Sequence, residues 1–130
     1  MSRPLPSPPS TVLVVDDEAP LRHYMARVMT DDGYRVLVAA NGKEALALVE
    51  NADSRVDLVI TDVIMPLMTG PELAAQLAAQ LLPPPVLFVS GSHNLRDVPG
   101  PMLRKPFLPD DLSTMVRSLI SNRAEALPGP

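Results

Sequence analysis

Residues 57–70, DLVITDVIMPLMTG, are the stretch of this sequence that decides its fold. The first five residues form a short apolar run, which predicts a buried β-strand over 57–61 that ends at Asp62. Pro71 then suits the first turn of a helix. One apolar face of this helix is formed by Leu73, Leu77 and Leu81. A buried strand followed by an amphipathic helix is the repeating unit of a parallel α/β sheet.

The same strand–helix unit recurs on both sides of this stretch. Short apolar runs predict further strands over residues 11–15, 34–39, 86–89 and 102–104, and helical spacing predicts helices over 20–31, 41–49 and 109–120. Because the strands are apolar almost throughout, we expect a parallel sheet that helices cover on both faces.

Composition limits the classes of protein to which the chain can belong. Its 130 residues suffice for one domain, and its net charge of -4 argues against a nucleic-acid-binding surface. The absence of cysteine excludes disulfides, thiolate metal sites and a cysteine nucleophile. The apolar runs are far shorter than the roughly 20 residues of a membrane helix, and no secretory signal opens the chain. We therefore expect a soluble cytoplasmic domain that contacts neither nucleic acid nor membrane.

Proline marks the boundaries of the predicted domain. The chain has 16 prolines, and four of them fall among the first ten residues, MSRPLPSPPS. Such a segment is typical of a linker or a disordered leader, which we place at residues 1–10. Residues 123–130 end in Leu-Pro-Gly-Pro and are predicted to be a flexible tail. The folded domain is predicted to span residues 11–122.

Polar side chains stand where four of the predicted strands end. Asp16 and Asp17 follow the first strand, Asp62 the third, Ser90 the fourth and Lys105 the fifth. The carboxyl ends of parallel strands meet at one edge of a sheet, where ligands bind. We therefore expect these five side chains to converge.

The predicted cluster has the chemistry of a phosphoryl-accepting metal site. Three adjacent carboxylates repel one another unless a cation or protons neutralise them, and oxygen ligands without His or Cys favour Mg²⁺. A carboxylate can also act as a nucleophile and form an acyl phosphate. Asp62 would then be the acceptor, Asp16 and Asp17 would lie at the metal, and Ser90 and Lys105 would contact the phosphoryl oxygens.

Each of these residues also has an ordinary structural explanation. An acidic run after a strand complements the dipole of the next helix, a serine before glycine is common in turns, and a lysine before proline is usually a solvated charge. The functional interpretation is favoured because all of these residues occur together, in this order, at strand ends of one sheet.

The ordered set of motifs resembles the receiver domain of two-component response regulators. VLVVDDE (12–18) resembles the first strand and acidic pair of that family, and the stretch at 57–70 resembles its phosphoacceptor segment. FVSG (88–91) resembles the segment with the switch hydroxyl, and LRKPF (103–107) resembles the Lys-Pro segment. The resemblance covers residues 11–122.

The resemblance implies a fold, a cofactor and a partner. The fold would be a doubly wound, flavodoxin-like, five-stranded sheet of order 2-1-3-4-5, with a cis peptide bond before Pro106. Asp17, Asp62 and the backbone carbonyl of Ile64 would be direct ligands of Mg²⁺, whereas Asp16 would act through water. The phosphoryl donor would be a phosphohistidine on a sensor histidine kinase or a phosphotransfer protein. The domain would not be an enzyme.

Two features depart from the family pattern. Ser90 and Lys105 are 15 positions apart, which is shorter than usual, and the intervening segment contains two prolines and two glycines. This spacing predicts that the fourth helix is reduced or absent. Met102 stands where the family has its switch aromatic residue.

Several functional alternatives remain open from the sequence. The chain could be an Mg²⁺-dependent phosphohydrolase with an aspartyl-phosphate intermediate, or an interaction module that is not phosphorylated. It could stand alone or belong to a hybrid sensor kinase, and its last helix could supply the face of a homodimer. Uptake of a single phosphoryl group on Asp62 would favour the receiver domain.

Overall fold

The structure is a computed structural model, and it describes residues 9–51, 55–91 and 98–126. The described residues form five strands and four helices, which alternate as far as the fourth strand, after which the fifth strand and the last helix follow. They are β1 (Thr11–Val15), α1 (Ala19–Asp31), β2 (Arg35–Ala39), α2 (Gly42–Asn51), β3 (Leu58–Asp62), α3 (Gly70–Leu77), β4 (Val86–Ser90), β5 (Met102–Arg104) and α4 (Pro109–Ala126).

The strands form one parallel sheet in the order β2-β1-β3-β4-β5. This order confirms the predicted topology. Successive side chains of a strand face opposite sides of the sheet, so each face has its own apolar core. Helices α1 and α4 cover one face through Met25, Met29, Leu112 and Val116. Helices α2 and α3 cover the other through Ala45, Leu73 and Leu77.

Side-chain caps mark the starts of helices α2 and α3. Asn41 accepts a hydrogen bond from the backbone N–H of Glu44 at 2.9 Å and so caps the start of α2. Helix α3 begins with a capping box, in which Thr69 and Glu72 each accept a hydrogen bond from the backbone N–H of the other. These caps fix where α2 and α3 start, and α3 starts directly beside the end of β3.

Two helix ends differ from the sequence prediction. Helix α3 ends at Leu77, so Leu81 lies outside the helix and is 96% exposed instead of continuing its apolar face. Helix α4 continues to Ala126, beyond the predicted start of the tail at residue 123. Arg123 explains the extension, because its guanidinium donates hydrogen bonds to the backbone oxygens of Val56 and Leu82. The predicted leader falls mostly on residues 1–8, which lie outside the described residues, as do residues 127–130.

The connection from β4 to β5 agrees with the predicted loss of a helix. Its described residues, 91 and 98–101, contain no helix, and residues 92–97 lie outside the description. The described chain therefore has four helices, the last of which is C-terminal. In the connection, Gly100 lies so close to Phe88 that a Cβ at this glycine would be 3.4 Å from the ring. Residues 99–101 thus cover part of β4.

None of the helices in the described residues is both long enough and apolar enough to cross a membrane.

Candidate functional site

The sequence-predicted polar residues stand at one edge of the sheet. Asp16 and Asp17 follow β1, Asp62 is the last residue of β3, and Ser90 is the last residue of β4. Lys105 follows β5, and its backbone N–H donates to the backbone oxygen of Ser90 at 2.8 Å. All five residues therefore lie at the carboxyl edge of the sheet, as expected for strands that run in the same direction.

Three carboxylates form a compact cluster at this edge. Asp16, Asp17 and Asp62 each offer one oxygen, and these oxygens lie within 4.8 Å of one another. Asp16 is fully buried, Asp62 is buried and Asp17 is exposed. The cluster is thus open to solvent on the side of Asp17, so that an ion could enter from that side.

Lys105 is the counter-charge of the two buried carboxylates. Its Nζ lies 3.4 Å from Oδ2 of Asp62 and 3.6 Å from Oδ2 of Asp16. The peptide bond between Lys105 and Pro106 is cis, as the sequence resemblance implied. The lysine side chain is largely covered, with 19% of it exposed, so solvent screens these ion pairs only weakly.

Burial raises the pKa of both covered carboxyl groups. For Asp16, burial is the main cause, Asp62 and Asp17 add to it, and the Glu18 N–H and Lys105 oppose it. For Asp62, burial raises the pKa, whereas Lys105 and the backbone N–H groups of Val63 and Ile64 lower it. Negative charge on these carboxylates is therefore energetically unfavourable, and a bound cation would offset this cost.

The donor set fits a hard divalent cation. Oδ1 of Asp16 accepts a hydrogen bond from the N–H of Glu18 at 2.8 Å, whereas its buried Oδ2 has no hydrogen-bond partner in the described part of the chain. A buried carboxylate oxygen without a hydrogen bond is energetically unfavourable. This oxygen lies 3.6 Å from Nζ of Lys105, and an ion held by the three carboxylates, or its bound water, can supply the missing hydrogen-bond partner. Asp16, Asp17 and Asp62 are the residues that would hold such an ion.

We expect Asp16→Asn to stabilise the metal-free protein near neutral pH. The raised pKa means that folded Asp16 binds protons more tightly than unfolded Asp16, so stability is lost as pH rises through the folded value. Asparagine cannot ionise, so the variant should avoid this loss of stability. The loss amounts to about 1.4 kcal/mol for each unit by which the pKa is raised. Urea unfolding in the presence of a chelator should show a higher free energy of unfolding for the variant near pH 7. This difference should vanish below about pH 4.

The matched control for this experiment is Asp17→Asn. Asp17 belongs to the same cluster but is exposed, so its replacement should change stability less. A gain for Asp16→Asn that is independent of pH would contradict the electrostatic explanation.

Two residues support the site in ways that the sequence did not predict. Arg22 of α1 donates a hydrogen bond from its guanidinium to the backbone oxygen of Asp16 at 2.8 Å and so holds the acidic pair against the helix. Gly70 lies against the end of β3, where a Cβ would overlap the backbone oxygen of Asp62 and approach Cα of Val63 to 3.1 Å. Gly70 stood in a recognised motif, but only its three-dimensional neighbours show why glycine is required.

Comparison with known proteins identifies the family. The sequence model of the response regulator receiver domain matches residues 12–117. The chain belongs to this family. Receiver domains are the phosphoacceptor domains of two-component systems, and the predicted family and fold are thereby confirmed.

Individual relatives and solved structures agree with this assignment. The chain is 36% identical over 121 residues to the sensor kinase CckA of Brucella abortus, which covers 88% of this chain and 13% of that protein. It is 33% identical to the transcriptional regulatory protein TcrA of Mycobacterium tuberculosis, over 92% of this chain and 48% of that protein. The chain therefore spans about half or less of these relatives.

The solved structures are receiver domains of nearly the same extent. A receiver domain of the hybrid histidine kinase CckA superposes with a TM-score of 0.76 at 36% identity, covering 85% of this chain and 99% of that one. A response regulator receiver domain from Clostridium thermocellum gives a TM-score of 0.83 at 26% identity, covering 91% and 99% of the two chains.

Proposed function

We propose that Asp62 receives a phosphoryl group from a phosphohistidine, with Mg²⁺ held by the carboxylates of Asp16, Asp17 and Asp62. The single observation that carries the proposal is the position of Lys105, 3.4 Å from Asp62 in a cluster of three carboxylates. A lysine at this position neutralises charge beside the acceptor. Asp17, Asp62 and the carbonyl of Ile64 would be direct ligands, and Asp16 would act through water.

The proposed reaction moves one phosphoryl group between two side chains. A carboxylate oxygen of Asp62 attacks phosphorus, a P–O bond forms, and the P–N bond to the donor imidazole breaks. The released imidazole nitrogen keeps the electron pair of that bond. Mg²⁺, when bound, neutralises negative charge on the phosphoryl oxygens. Lys105 and the hydroxyl of Ser90 would stabilise the same oxygens, and the product is an acyl phosphate on Asp62.

The proposal also includes a donor protein and a cellular location for this domain. The donor would be a sensor histidine kinase or a histidine phosphotransfer protein, because the relatives include a sensor kinase and a transcriptional regulator. The domain would act as a phosphoacceptor and not as an enzyme on external substrates. A cytoplasmic location is part of the proposal, since transcriptional regulators act where the DNA is.

Intact mass after treatment with a small phosphodonor tests this function. With acetyl phosphate and Mg²⁺, we expect one phosphoryl group per chain, and fragmentation should place it on Asp62. Chelation of the metal should abolish the adduct. Sustained hydrolysis of added phosphoesters would instead indicate a phosphohydrolase, and the lack of any adduct would indicate an interaction module.

A further inference from the structure

An apolar groove of about 450 Å³ lies between α3 and the connection from β4 to β5. Helix α3 lines it with Ala74, Ala75 and Ala78, and the connection lines it with residues 99–101. Its lining residues are all apolar, and none of them carries a charge. Ligand pockets of proteins typically measure roughly 300–1,000 Å³, so the groove is large enough to take up part of another chain segment.

The apolar surface continues beyond the groove towards the amino edge of the sheet. Pro83, Pro84 and Pro85 line the groove, and the leucines that directly precede them, Leu81 and Leu82, are both exposed. The Arg123 guanidinium donates a hydrogen bond to the backbone oxygen of Leu82 at 3.2 Å, which ties this segment to α4. A contiguous and firmly held apolar surface of this kind is typical of an interaction site.

The amino-terminal segment of the chain starts within reach of this groove. Val12 of β1 lies opposite Leu58 of β3, and the next residue of β3, Val59, accepts its partner from β4 and donates to the backbone oxygen of Pro85. Two strand spacings of about 4.8 Å therefore separate β1 from the proline wall, or about 10 Å in all. Residues 4–9 span about 19 Å as a polyproline II segment, which is enough to cross this distance and enter the groove.

The composition of that segment suits an apolar groove without charges. Residues 4–8 are Pro-Leu-Pro-Ser-Pro. Proline has no backbone N–H, so burial of this segment leaves few hydrogen-bond donors without a partner. Proline-rich segments also favour the extended conformation in which they dock into apolar grooves, so that little conformational entropy is lost.

Covalent attachment favours the leader over a separate protein as the occupant. A tethered segment meets its site at an effective concentration on the order of millimolar, so that even a weak contact is formed much of the time. Another segment close to the groove in sequence, SHNLRD at residues 92–97, offers Leu95 as its one apolar residue. Its polar side chains suit an apolar groove less well than the prolines of the leader do.

We propose that residues 4–8, the proline-rich part of the leader, pack into the groove between α3 and the connection from β4 to β5 of their own domain. The leader would cover apolar surface that the described residues of this connection leave open, and it would compete with any other protein for that surface. This inference concerns a face of the domain away from the carboxylate cluster and does not depend on the proposed function.

Disulfide trapping in the full chain tests the contact. The sequence has no cysteine, so the double variant Ser7→Cys, Ala78→Cys can form one intramolecular disulfide. The matched control is Ser7→Cys, Glu50→Cys, since Glu50 is exposed near the end of α2, which contacts β1 directly. Proximity to β1 alone would thus favour the control. With oxidised glutathione, we expect the groove pair to close about tenfold faster than the control pair.

Two further measurements make the result specific to packing in the groove. Each closure rate is divided by the rate at which glutathione reacts with the corresponding single-cysteine variants, so that differences in thiol reactivity cancel. Addition of Pro6→Gly and Pro8→Gly keeps the length of the leader but removes two apolar rings. Closure with Ala78→Cys should then fall to the rate of the Glu50→Cys control.

Three results would overturn the inference. Equal closure rates for the groove pair and the control pair would show that the leader does not prefer the groove. A fast closure that survives both glycine substitutions would reflect proximity without packing. A disulfide-linked dimer that forms before any intramolecular bond would show that the groove takes a second copy of the chain. Uptake of phosphoryl groups by the unaltered chain is measured separately, so none of these results affects the proposed function.

Discussion

The variant Asp62→Asn is expected to take up no phosphoryl group while becoming more stable than the parent protein in the absence of divalent metal. An amide lacks the anionic oxygen that attacks phosphorus, so the adduct should disappear completely. The same change removes a buried negative charge whose pKa is raised mainly by burial. The loss of function and the gain in stability have one cause, because the protein holds a carboxylate where its environment disfavours charge.

Intact mass and urea unfolding measure the two parts of this prediction. Asp110→Asn is the matched control, since Asp110 is an exposed residue in the first turn of α4. It should keep full labelling and change the free energy of unfolding by less than about 0.5 kcal/mol. An adduct of undiminished yield in Asp62→Asn would show that another residue is the acceptor. A loss of stability would show that Lys105 more than compensates the buried charge.

The fold was predictable because its strands leave a strong signal in the sequence. Strands β1 and β3 are fully buried runs of five residues. Mostly apolar runs without an exposed position indicate a sheet that is covered on both faces. The polar residue that ends each run then marks the carboxyl edge, which is why Asp16, Asp62 and Lys105 could be brought together without coordinates.

Helix ends were less predictable from the apolar spacing of the sequence. The apolar spacing placed Leu81 on the face of α3, yet the helix ends at Leu77. Helix α4 extends past its last apolar position because Arg123 reaches backbone oxygens near β3 and before β4. Neither backbone oxygen is near Arg123 in sequence, so periodicity alone could not reveal where α4 ends.

The supporting residues of the site were invisible for the same reason. Arg22 is an ordinary helical residue in the sequence, and only the folded chain shows that it binds the backbone oxygen of Asp16. Gly70 stands in the recognised stretch 57–70, but only the folded chain shows that a Cβ there would overlap the backbone oxygen of Asp62. Residues that act by positioning others thus leave little trace in a single sequence.

Gly70 provides the sharpest test of such a positional requirement, because two physical effects oppose each other there. Alanine is a better helix former than glycine by up to about 1 kcal/mol, so propensity alone predicts that Gly70→Ala stabilises α3. A Cβ at this position would, however, overlap the backbone oxygen of Asp62 and lie 3.1 Å from Cα of Val63. Both are backbone atoms, so no rotation of a side chain can relieve the overlap.

We therefore expect Gly70→Ala to lower the free energy of unfolding by about 2–3 kcal/mol, as overpacking against fixed atoms does. Relief of the overlap must move the end of β3, so Mg²⁺ should also bind more weakly. Gly91→Ala is the matched control, since among the described residues a Cβ there would meet the Lys105 side chain at an ordinary 3.8 Å and nothing nearer. Urea unfolding compares the stability of the two variants, and metal titration compares their affinity for Mg²⁺. Unchanged or increased stability of Gly70→Ala would mean that helix propensity outweighs the contact, and that the backbone around Asp62 is free to yield.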